Sequence, residues 1–492
     1  MRSLRVLGAL TVLLLTTSVL SAGAAPGRSP GPRPGPAGPS LVLDRDAAYF
    51  RFDAATDARG TTYVGWLSSR SGDEPGAEVH LCVLPVGNTR CAGGVQTIDA
   101  LERLSAEQLF VVASGDRATL VWHHRNGPDA TGDPMQDRIA TAQVVGGVLR
   151  PAVDVAQVRS ETTLLAVAAG PRGIGAVLVS GPDDDARTLY HYDTLAAAPS
   201  TVRAPYPVGN VEMVDDGRST VMLIGEYAAD ADPVRVAWKP SGSGSWGAFR
   251  AVAGTETDHG TARLAATRRG IRLLATARDR KKGGDRSVVA SWDPSRHAFR
   301  RPVAGLPGQS CATGGRDLHT DASGRFASVA IGCDRLAVGN HQTAGVGALK
   351  EFPVGLTTTD VDARIATAPS GRGWVVWVAT DRSSLVARPI RLPALTRTVT
   401  SRVPFGRVRL TVPVSCLPAV SAPAGVKVRA ARGWRVKRTS LRLGRVKVGR
   451  AINGAALRPG RKYVLKVDVR VARGQARRAW STRVRFTTCG RP

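Results

Sequence analysis

Acidic side chains recur shortly before the short apolar segments that begin several internal repeats. If the fold gathers such positions, two carboxyl groups could perform general acid and base catalysis on a glycan, provided that burial separates their pKa values. Exposed loop acids without a function are the alternative, because their offsets along the repeats are irregular. The candidate catalytic residues are Asp258, His259, Asp317, Asp360 and Asp362, and Asp46, Glu107 and Glu161 occupy similar positions.

Other catalytic signatures are absent from the sequence. It contains no G-x-S-x-G elbow, no H-E-x-x-H and no phosphate-binding glycine loop. His123 and His124 adjoin on one predicted strand and would point to opposite faces, which does not suit a metal site. We predict no cofactor. Ca²⁺ at the oxygen-rich segments 126–137 and 181–185 is the alternative to ordinary solvated turns.

Seven repeats would have to position these residues. Each repeat has two apolar strands joined by a turn, and the turns are 44–57 residues apart. Four short strands per repeat at this spacing predict an all-β fold, a seven-bladed β-propeller. A six-bladed ring or a pair of β-sandwiches is the alternative, and the strongest helical pattern, over 98–108, is short. The residues that mark the turns are Gly60, Arg117, Gly173, Gly217, Gly270, Gly324 and Gly371.

The last repeat has no obvious fourth strand of its own. The segment 40–43, Ser-Leu-Val-Leu, lies far upstream and could supply it. Closure of the ring by an N-terminal strand would remove exposed sheet edges.

The hairpin turns resemble those of the propeller group that includes the sialidases, over residues 40–395. Sialidases carry a Ser-x-Asp-x-Gly-x-x-Trp box, of which segments 56–60 and 320–324 keep the Asp and the Gly with one additional residue between them. In sialidases the box joins the third and fourth strands, whereas here it would join the first and second. The resemblance implies a propeller fold and, as one alternative, glycoside hydrolase or lyase activity.

Residues 401–492 have a different character and predict a β-sandwich. The segment from Leu457 to Leu465, with Pro459, Gly460 and Tyr463, resembles the tyrosine corner of fibronectin type III and immunoglobulin-like domains. That resemblance implies that the Tyr463 hydroxyl bonds to an upstream backbone group.

Positive charge is concentrated in this domain. Residues 401–492 contain 24 Lys and Arg and a single acid, Asp468, which accounts for +23 of the net charge of +29. Charged residues alternate with apolar ones, which places most cations on one exposed sheet face. Such a face would bind an extracellular polyanion or a cell-wall polymer, with a merely solvated surface as the alternative. The candidate binding residues are Arg429, Lys437, Arg438, Arg442, Lys447, Lys466 and Arg470.

The N-terminus predicts export. Residues 1–24 have two arginines, an apolar run and a small-residue cleavage site, as in a secretory signal peptide, and 25–39 read as a Pro-rich linker. An oxidising compartment favours disulfides, and we predict Cys82–Cys91, Cys311–Cys333 and Cys416–Cys489.

These features together predict a secreted binding or scaffold protein of the cell envelope. The propeller loops would recognise a glycan or protein ligand, and the basic domain would retain the protein on polyanions. The alternative is an extracellular glycoside hydrolase or lyase of the propeller type, and neither specific nucleic-acid binding nor a membrane span after signal cleavage is expected.

Overall fold

The computed structural model describes residues 35–488 with internal gaps. The predicted signal peptide, most of the linker, and the cysteines of the two later disulfides lie outside the described residues. Within the described part, none of the helical segments has the length and hydropathy of a membrane span. The gaps are 37, 46–50, 58, 71–75, 86–87, 100–105, 115–116, 127–135, 159–161, 171, 181–185, 227–232, 244, 257–261, 268–269, 279–284, 305–315, 321–325, 333–334, 343–344, 354–362, 369–370, 380–383, 393–395, 414–416, 418–420 and 459.

Short strands separated by glycine-rich turns make the described chain almost entirely β-structure, as the composition predicts. The strands up to residue 391 are β1 Gly35–Pro36, β2 Leu41–Asp44, β3 Arg51–Thr56, β4 Thr62–Arg70, β5 Gly76–Leu84, β6 Val95–Asp99, β7 Ala106–Ser114, β8 Arg117–Asn126, β9 Gln136–Val145, β10 Val148–Leu149, β11 Val153–Val158, β12 Thr162–Gly170, β13 Gly173–Ser180, β14 Thr188–Tyr192, β15 Ser200–Arg203, β16 Val208–Asp215, β17 Ser219–Glu226, β18 Pro233–Pro240, β19 Arg250–Glu256, β20 Ala262–Thr267, β21 Gly270–Arg278, β22 Asp285–Asp293, β23 Ala298–Phe299, β24 Val303–Ala304, β25 Arg316–Thr320, β26 Phe326–Gly332, β27 Arg335–Gln342, β28 Gly345–Pro353, β29 Ala363–Thr367, β30 Arg372–Val378 and β31 Leu385–Arg391.

Consecutive strands pair into antiparallel sheets that follow one another along the chain. The sheets begin with β3, β7, β12, β16, β20, β25 and β29, and each contains four or five strands. Every first strand contacts the first strand of the next sheet, and β29 contacts β3, so the series closes on itself. A closed ring of radially repeated antiparallel sheets is a β-propeller.

The last sheet is completed from the N-terminal end of the described chain. β2 pairs antiparallel with β31, with Leu41 opposite Ala387. This confirms the prediction that segment 40–43 supplies a strand to the last repeat. β1 also pairs with β31, so pairing already begins within the segment predicted as a linker.

The first hairpin shows how the repeated turns are made. Gly60 has a φ of 94°, which a residue with a Cβ rarely adopts. The buried Asp57 side chain holds the turn, because it accepts the backbone N–H of Thr61 at 2.8 Å and the hydroxyl of Tyr63 at 3.0 Å. The recurring glycine therefore marks a backbone requirement of the hairpin.

Hydrophobic clusters lie between neighbouring sheets. Leu81 of β5 and Leu120 of β8 share one cluster, for example, and Trp66 of β4 and Trp374 of β30 share another. Each sheet is thus covered on both faces only when both of its neighbours are present. The predicted disulfide Cys82–Cys91 is confirmed in the first of these sheets.

The chain after residue 395 forms further antiparallel sheets. Their strands are β32 Thr396–Val403, β33 Gly406–Pro413, β34 Ser421–Pro423, β35 Gly425–Ala430, β36 Arg435–Leu443, β37 Val446–Val448, β38 Ala451–Asn453, β39 Lys462–Arg473 and β40 Ala476–Thr487, with a 3-10 helix at Gly454–Ala456. The strand orders are β32-β33-β35, β34-β38 and β37-β36-β39-β40.

One core joins these sheets. Val408 and Leu410 of β33 pack in the same buried cluster as Val467 and Phe486 of β39 and β40. The Tyr463 hydroxyl accepts the upstream backbone N–H of Arg458 at 2.8 Å, as the tyrosine-corner resemblance implies.

The predicted bridge between Cys416 and Cys489 lies outside the described residues. Its sequence neighbours Leu417 and Thr488 form a parallel β-bridge. The bridge itself stays a prediction, as does Cys311–Cys333.

Candidate functional site

The first strands of the propeller sheets surround a central cavity of about 430 Å³. Counting seven residues back from each of the seven turn markers gives one position on every first strand, and all seven of these positions line the cavity. They form a ring around the channel. The ring consists of Asp53, Phe110, Ala166, Asn210, Arg263, Asp317 and Arg364.

Charge is confined to one side of this channel. On the consecutive first strands β16, β20, β25, β29 and β3, one charged residue per strand alternates in sign, and Asp215 of β16 and Arg51 of β3 also line the cavity. The opposite wall, on β7 and β12, presents apolar residues such as Phe110 and Val167. The alternating series is Glu212, Arg263, Asp317, Arg364 and Asp53.

Asp53 is a carboxyl group of the series whose pKa is raised. Its Oδ1 lies 3.4 Å from Nε of Arg364, and its Oδ2 accepts the backbone N–H of Val111 on the next sheet at 2.8 Å. Its side chain is about a fifth exposed. Burial raises the pKa of Asp53 from 3.8 to about 6 against the opposing effect of Arg364, and the nearby Asp317 raises it further.

Asp317 repeats part of this geometry on another sheet. Its Oδ2 accepts the backbone N–H of Ile365, on the sheet that follows, at 2.7 Å. Asn210 makes a related contact, since its Nδ2 donates to the carbonyl of Ala262 at 3.2 Å. The side chain seven residues before a turn marker can therefore form a hydrogen bond to the next sheet as well as face the channel.

Glu212 and Arg263 form a second ion pair in the channel. Burial raises the pKa of Glu212, while the charge of Arg263 and its hydrogen bond oppose the shift. The two pairs place carboxyl groups of raised pKa beside guanidinium groups in a single cavity. Such a combination can exchange a proton and hold an anionic group.

The structure brings one predicted catalytic candidate, Asp317, into the channel. Asp258, His259, Asp360 and Asp362 lie outside the described residues, as do Asp46 and Glu161. The sequence interpretation placed the candidates before the first strands, whereas the described channel residues lie within them.

Four channel residues are not among the candidates predicted from the sequence, although the sequence holds a signal for them. Asp53, Arg263 and Arg364 are charged residues inside short first strands, at the same distance from their turns as Asp317. Glu212 lies two residues further along its strand. An alignment of the repeats on their turn markers shows the shared position directly.

Six of the seven candidate cations of the C-terminal domain lie on or beside one sheet, and the seventh, Arg429, lies on another. Arg429 lies on β35 opposite Arg407 of β33. The others lie on or beside the sheet β37-β36-β39-β40, where Arg442 pairs with both Lys447 and Lys466. All seven predicted binding residues are exposed.

Metal binding has no support from the described side chains, among which no group of three His, Cys, Asp or Glu is placed to hold an ion. The segment 181–185 and most of 126–137 lie outside the described residues. His123 and His124 point to different partners: Nε2 of His123 lies 3.6 Å from Asp137, and Nε2 of His124 lies 2.9 Å from Asp154.

No protein-family model matches the chain. No curated protein sequence is significantly similar to it. Among solved structures, the GH93 α-L-arabinofuranosidase of Fusarium graminearum with arabinobiose aligns at 10% identity and a TM-score of 0.42, covering 72% of this chain and 98% of its own. The polysaccharide lyase Uly1 aligns at 13% identity and a TM-score of 0.40, covering 69% and 89%.

The β-propeller domain of the Trilobed protease from Pyrococcus furiosus aligns at 10% identity and a TM-score of 0.41, covering 71% and 94%. Likenesses at this level say nothing about the chemistry of the channel, which has to be judged from its own residues.

Proposed function

We propose that the propeller channel is a glycan-processing site of the glycoside hydrolase or lyase type, with Asp53 as the proton-exchanging group. The observation that carries this proposal is the pKa of Asp53, which burial raises to about 6 in a cavity that Asp317 and Arg364 also line. A carboxyl group titrating near neutral pH can donate a proton to a glycosidic oxygen or abstract one from carbon.

The neighbouring groups have complementary roles in this proposal. Asp317 supplies the second carboxyl group that hydrolysis requires. Arg364 and Arg263 hold positive charge at the cavity and would orient an acidic sugar, since a guanidinium group binds carboxylates in a planar fork. The apolar wall around Phe110 would contact the sugar ring. A cavity of about 430 Å³ has the size of ordinary small-ligand sites.

The test is turnover by the full chain on a panel of neutral and uronate-containing oligosaccharides. Reducing-end release reports hydrolysis, and formation of an unsaturated uronate reports elimination. Asp53→Asn and Asp317→Asn should each reduce turnover by about 10²- to 10⁴-fold. Asp99→Asn, the same change on the exposed outer strand β6, should leave it unchanged. Absence of turnover by the unaltered chain across the panel would contradict the proposal.

A second candidate function is ligand binding without chemistry, in which the propeller is a scaffold and the basic domain retains it on polyanions. The hydrogen bonds of Asp53 favour this candidate, because both carboxylate oxygens already accept backbone N–H groups, from Ala54 and Val111. A carboxylate held by two such hydrogen bonds serves as part of the cavity wall. Under this candidate, oligosaccharides bind in calorimetry with no turnover, and Asp53→Asn changes affinity only.

We further propose that the propeller has seven blades and that the C-terminal domain is of the fibronectin type III or immunoglobulin-like class. Seven sheets in a closed series support the blade number. The order β37-β36-β39-β40 corresponds to the C′-C-F-G sheet of that class, with Tyr463 near the start of strand F.

Export to the cell exterior remains part of the proposal and is supported by the sequence of residues 1–24 and by the bridge Cys82–Cys91. Mass spectrometry of the mature protein under non-reducing conditions would test it. We expect cleavage close to Ala24 and three disulfides, and retention of residues 1–24 in the mature chain would contradict export through a cleaved signal.

A further inference from the structure

We propose that the outward face of the sheet β37-β36-β39-β40 binds a flexible linear polymer that carries phosphate or sulfate groups. This cationic face is defined by its outward lysines and arginines. The inference does not rest on the channel site. The residues of the cationic face are Arg438, Arg442, Lys447, Lys462, Lys466, Arg470, Arg477, Arg483 and Arg485.

Strand register places four of these cations in a single row. Lys447 lies opposite Arg442, Arg442 opposite Lys466, and Lys466 opposite Arg483. The row crosses all four strands, which are ~4.8 Å apart in any β-sheet. Positive charges therefore recur at regular intervals across the face.

Strand alternation keeps the row in solvent. On β39 the side chains of Leu465, Val467 and Val469 enter the core, while Lys466 and Arg470 point outward and are exposed. No ion pair joins any of the four row cations to an acid within the part of the chain that the structure describes. The face has one acid, Asp468, which lies between Ser440 and Ser481 in the adjacent row.

Like charges directly opposite each other destabilise a sheet. Here they occupy three consecutive cross-strand pairs, and the register of the strands fixes the backbone positions from which these side chains extend. A bound polyanion would relieve this repulsion and release its own counterions. Relief of this repulsion in the folded protein would therefore favour binding of a ligand of opposite charge.

The side chains around the row favour simple oxyanions. Trp480, Phe486 and Tyr463 all lie on the core side of the same strands, so the outward positions offer no aromatic ring for a nucleobase to stack on. Single-stranded nucleic acid is normally held by such stacking. Lysine and arginine together suit phosphate or sulfate groups on a backbone that can follow a gently twisted sheet.

The opposite sheet offers a matched control. Its outward face carries Arg407, Arg409 and Lys427, all exposed. Packed sheets are ~10 Å apart and their outward side chains extend further, so the two faces are separated by more than the Debye length of ~8 Å at physiological salt. Charges on that face should contribute little to a polymer bound on the cationic face.

The experiment measures binding of the full chain to long-chain inorganic polyphosphate and to dextran sulfate at several NaCl concentrations. The row variant is Arg442→Gln, Lys466→Gln and Arg483→Gln together, and the control is Arg407→Gln, Arg409→Gln and Lys427→Gln together. The row variant should lose about 30-fold in affinity and reduce the slope of log affinity against log salt by about 2. The control should lose less than about 3-fold, because its charges are screened from the row.

The two probes identify the source of the oxyanion, since preference for one polymer indicates phosphate or sulfate. Asp468→Asn should tighten binding in either case. Equal losses in the row and control variants would overturn the proposal by showing that only the net charge matters. Tighter binding to duplex DNA than to either polymer at equal charge concentration would also overturn it. A thermal melt of each variant checks folding.

Discussion

The propeller channel and the cationic face of the C-terminal sheet both assemble charged side chains on neighbouring β-strands, but in opposite ways. In the channel, charges of both signs lie on consecutive first strands, and Asp53 and Arg364, each about a fifth exposed, form an ion pair. On the cationic face they share one sign, are exposed and lie directly opposite one another. Charges must be paired where water is scarce, whereas water tolerates unpaired ones.

The difference has a consequence for function. Burial raises the pKa of Asp53 to about 6, which suits proton exchange with a small ligand. Exposure leaves the cations of the sheet available to a large partner. The same molecule therefore carries one site whose chemistry depends on pH and another whose affinity depends on salt.

Removal of one arginine from the channel and one from the cationic face should give the largest difference in the free energy of unfolding. Arg364→Gln leaves the partly buried Asp53 without its cation, and we expect the free energy of unfolding to fall by about 2–4 kcal/mol at neutral pH. Arg442→Gln removes one like-charge neighbour on the cationic face and should change stability by less than ~0.5 kcal/mol, in the stabilising direction. Urea unfolding of both variants measures this.

Similar losses of stability in the two arginine variants would contradict this prediction. Phe52 contributes to the channel variant as well, since the Arg364 guanidinium lies 5.6 Å from its ring. Arg364→Lys keeps the charge and should recover part of the loss, which separates the electrostatic contribution from the packing one.

A double replacement should show that the channel pair acts as a unit. Asp53→Asn and Arg364→Gln together should cost less than the sum of the single variants, with a coupling of about 1–2 kcal/mol. Arg442→Gln and Lys466→Gln together should deviate from additivity in the opposite direction, because the first removal already relieves the second charge. Additive behaviour in the channel would mean that the two groups do not interact.

The pH dependence of stability should also distinguish the propeller channel from the cationic face. The folded pKa of Asp53, about 6, lies above the ordinary 3.8, so the folded state binds this proton more tightly than the unfolded state. The stabilisation is fully present below about pH 4 and is lost as the pH rises through 6, by up to ~3 kcal/mol. Asp53→Asn should remove this part of the pH dependence.

The substitutions of the row variant replace only lysine and arginine, whose ordinary pKa values lie far above this range. The row variant should therefore retain the pH dependence of the unaltered chain between pH 4 and 7. An unchanged pH profile in Asp53→Asn would show that another group is responsible, and Glu212, whose pKa burial also raises, would be the next to replace.

Repeats and closure were predictable from the sequence because they depend on local features. Glycine at turns such as Gly60 reflects a positive φ, and the spacing of the turns reveals the repeat. The missing fourth strand of the last repeat led directly to Leu41–Asp44. The short helical pattern over 98–108 is overridden at both ends, because residues 98–99 and 106–108 belong to β6 and β7 and pair with neighbouring strands.

The channel could not be inferred in the same way, because it depends on closure of the ring. Asp53 and Arg364 are 311 positions apart in the sequence, and each is a single charge in a short strand. Only alignment of the repeats on their turns places them in one ring. Alternation on β39 did predict exposed cations, but the assignment of Arg429 to a different sheet depends on pairing that composition does not reveal.

The smallest expected effect is the response of stability to salt. Raising NaCl from about 0.05 to 0.5 M screens exposed charges and should stabilise the unaltered chain by less than ~1 kcal/mol, through the cationic face. The row variant should lose about half of this gain, because three of the opposed cations are gone. The channel variant Arg364→Gln should keep the gain in full, since its own charges are largely shielded from the salt. A gain of equal size in all three proteins would place the repulsion elsewhere in the basic domain and would break the link between strand register and electrostatic strain on this face.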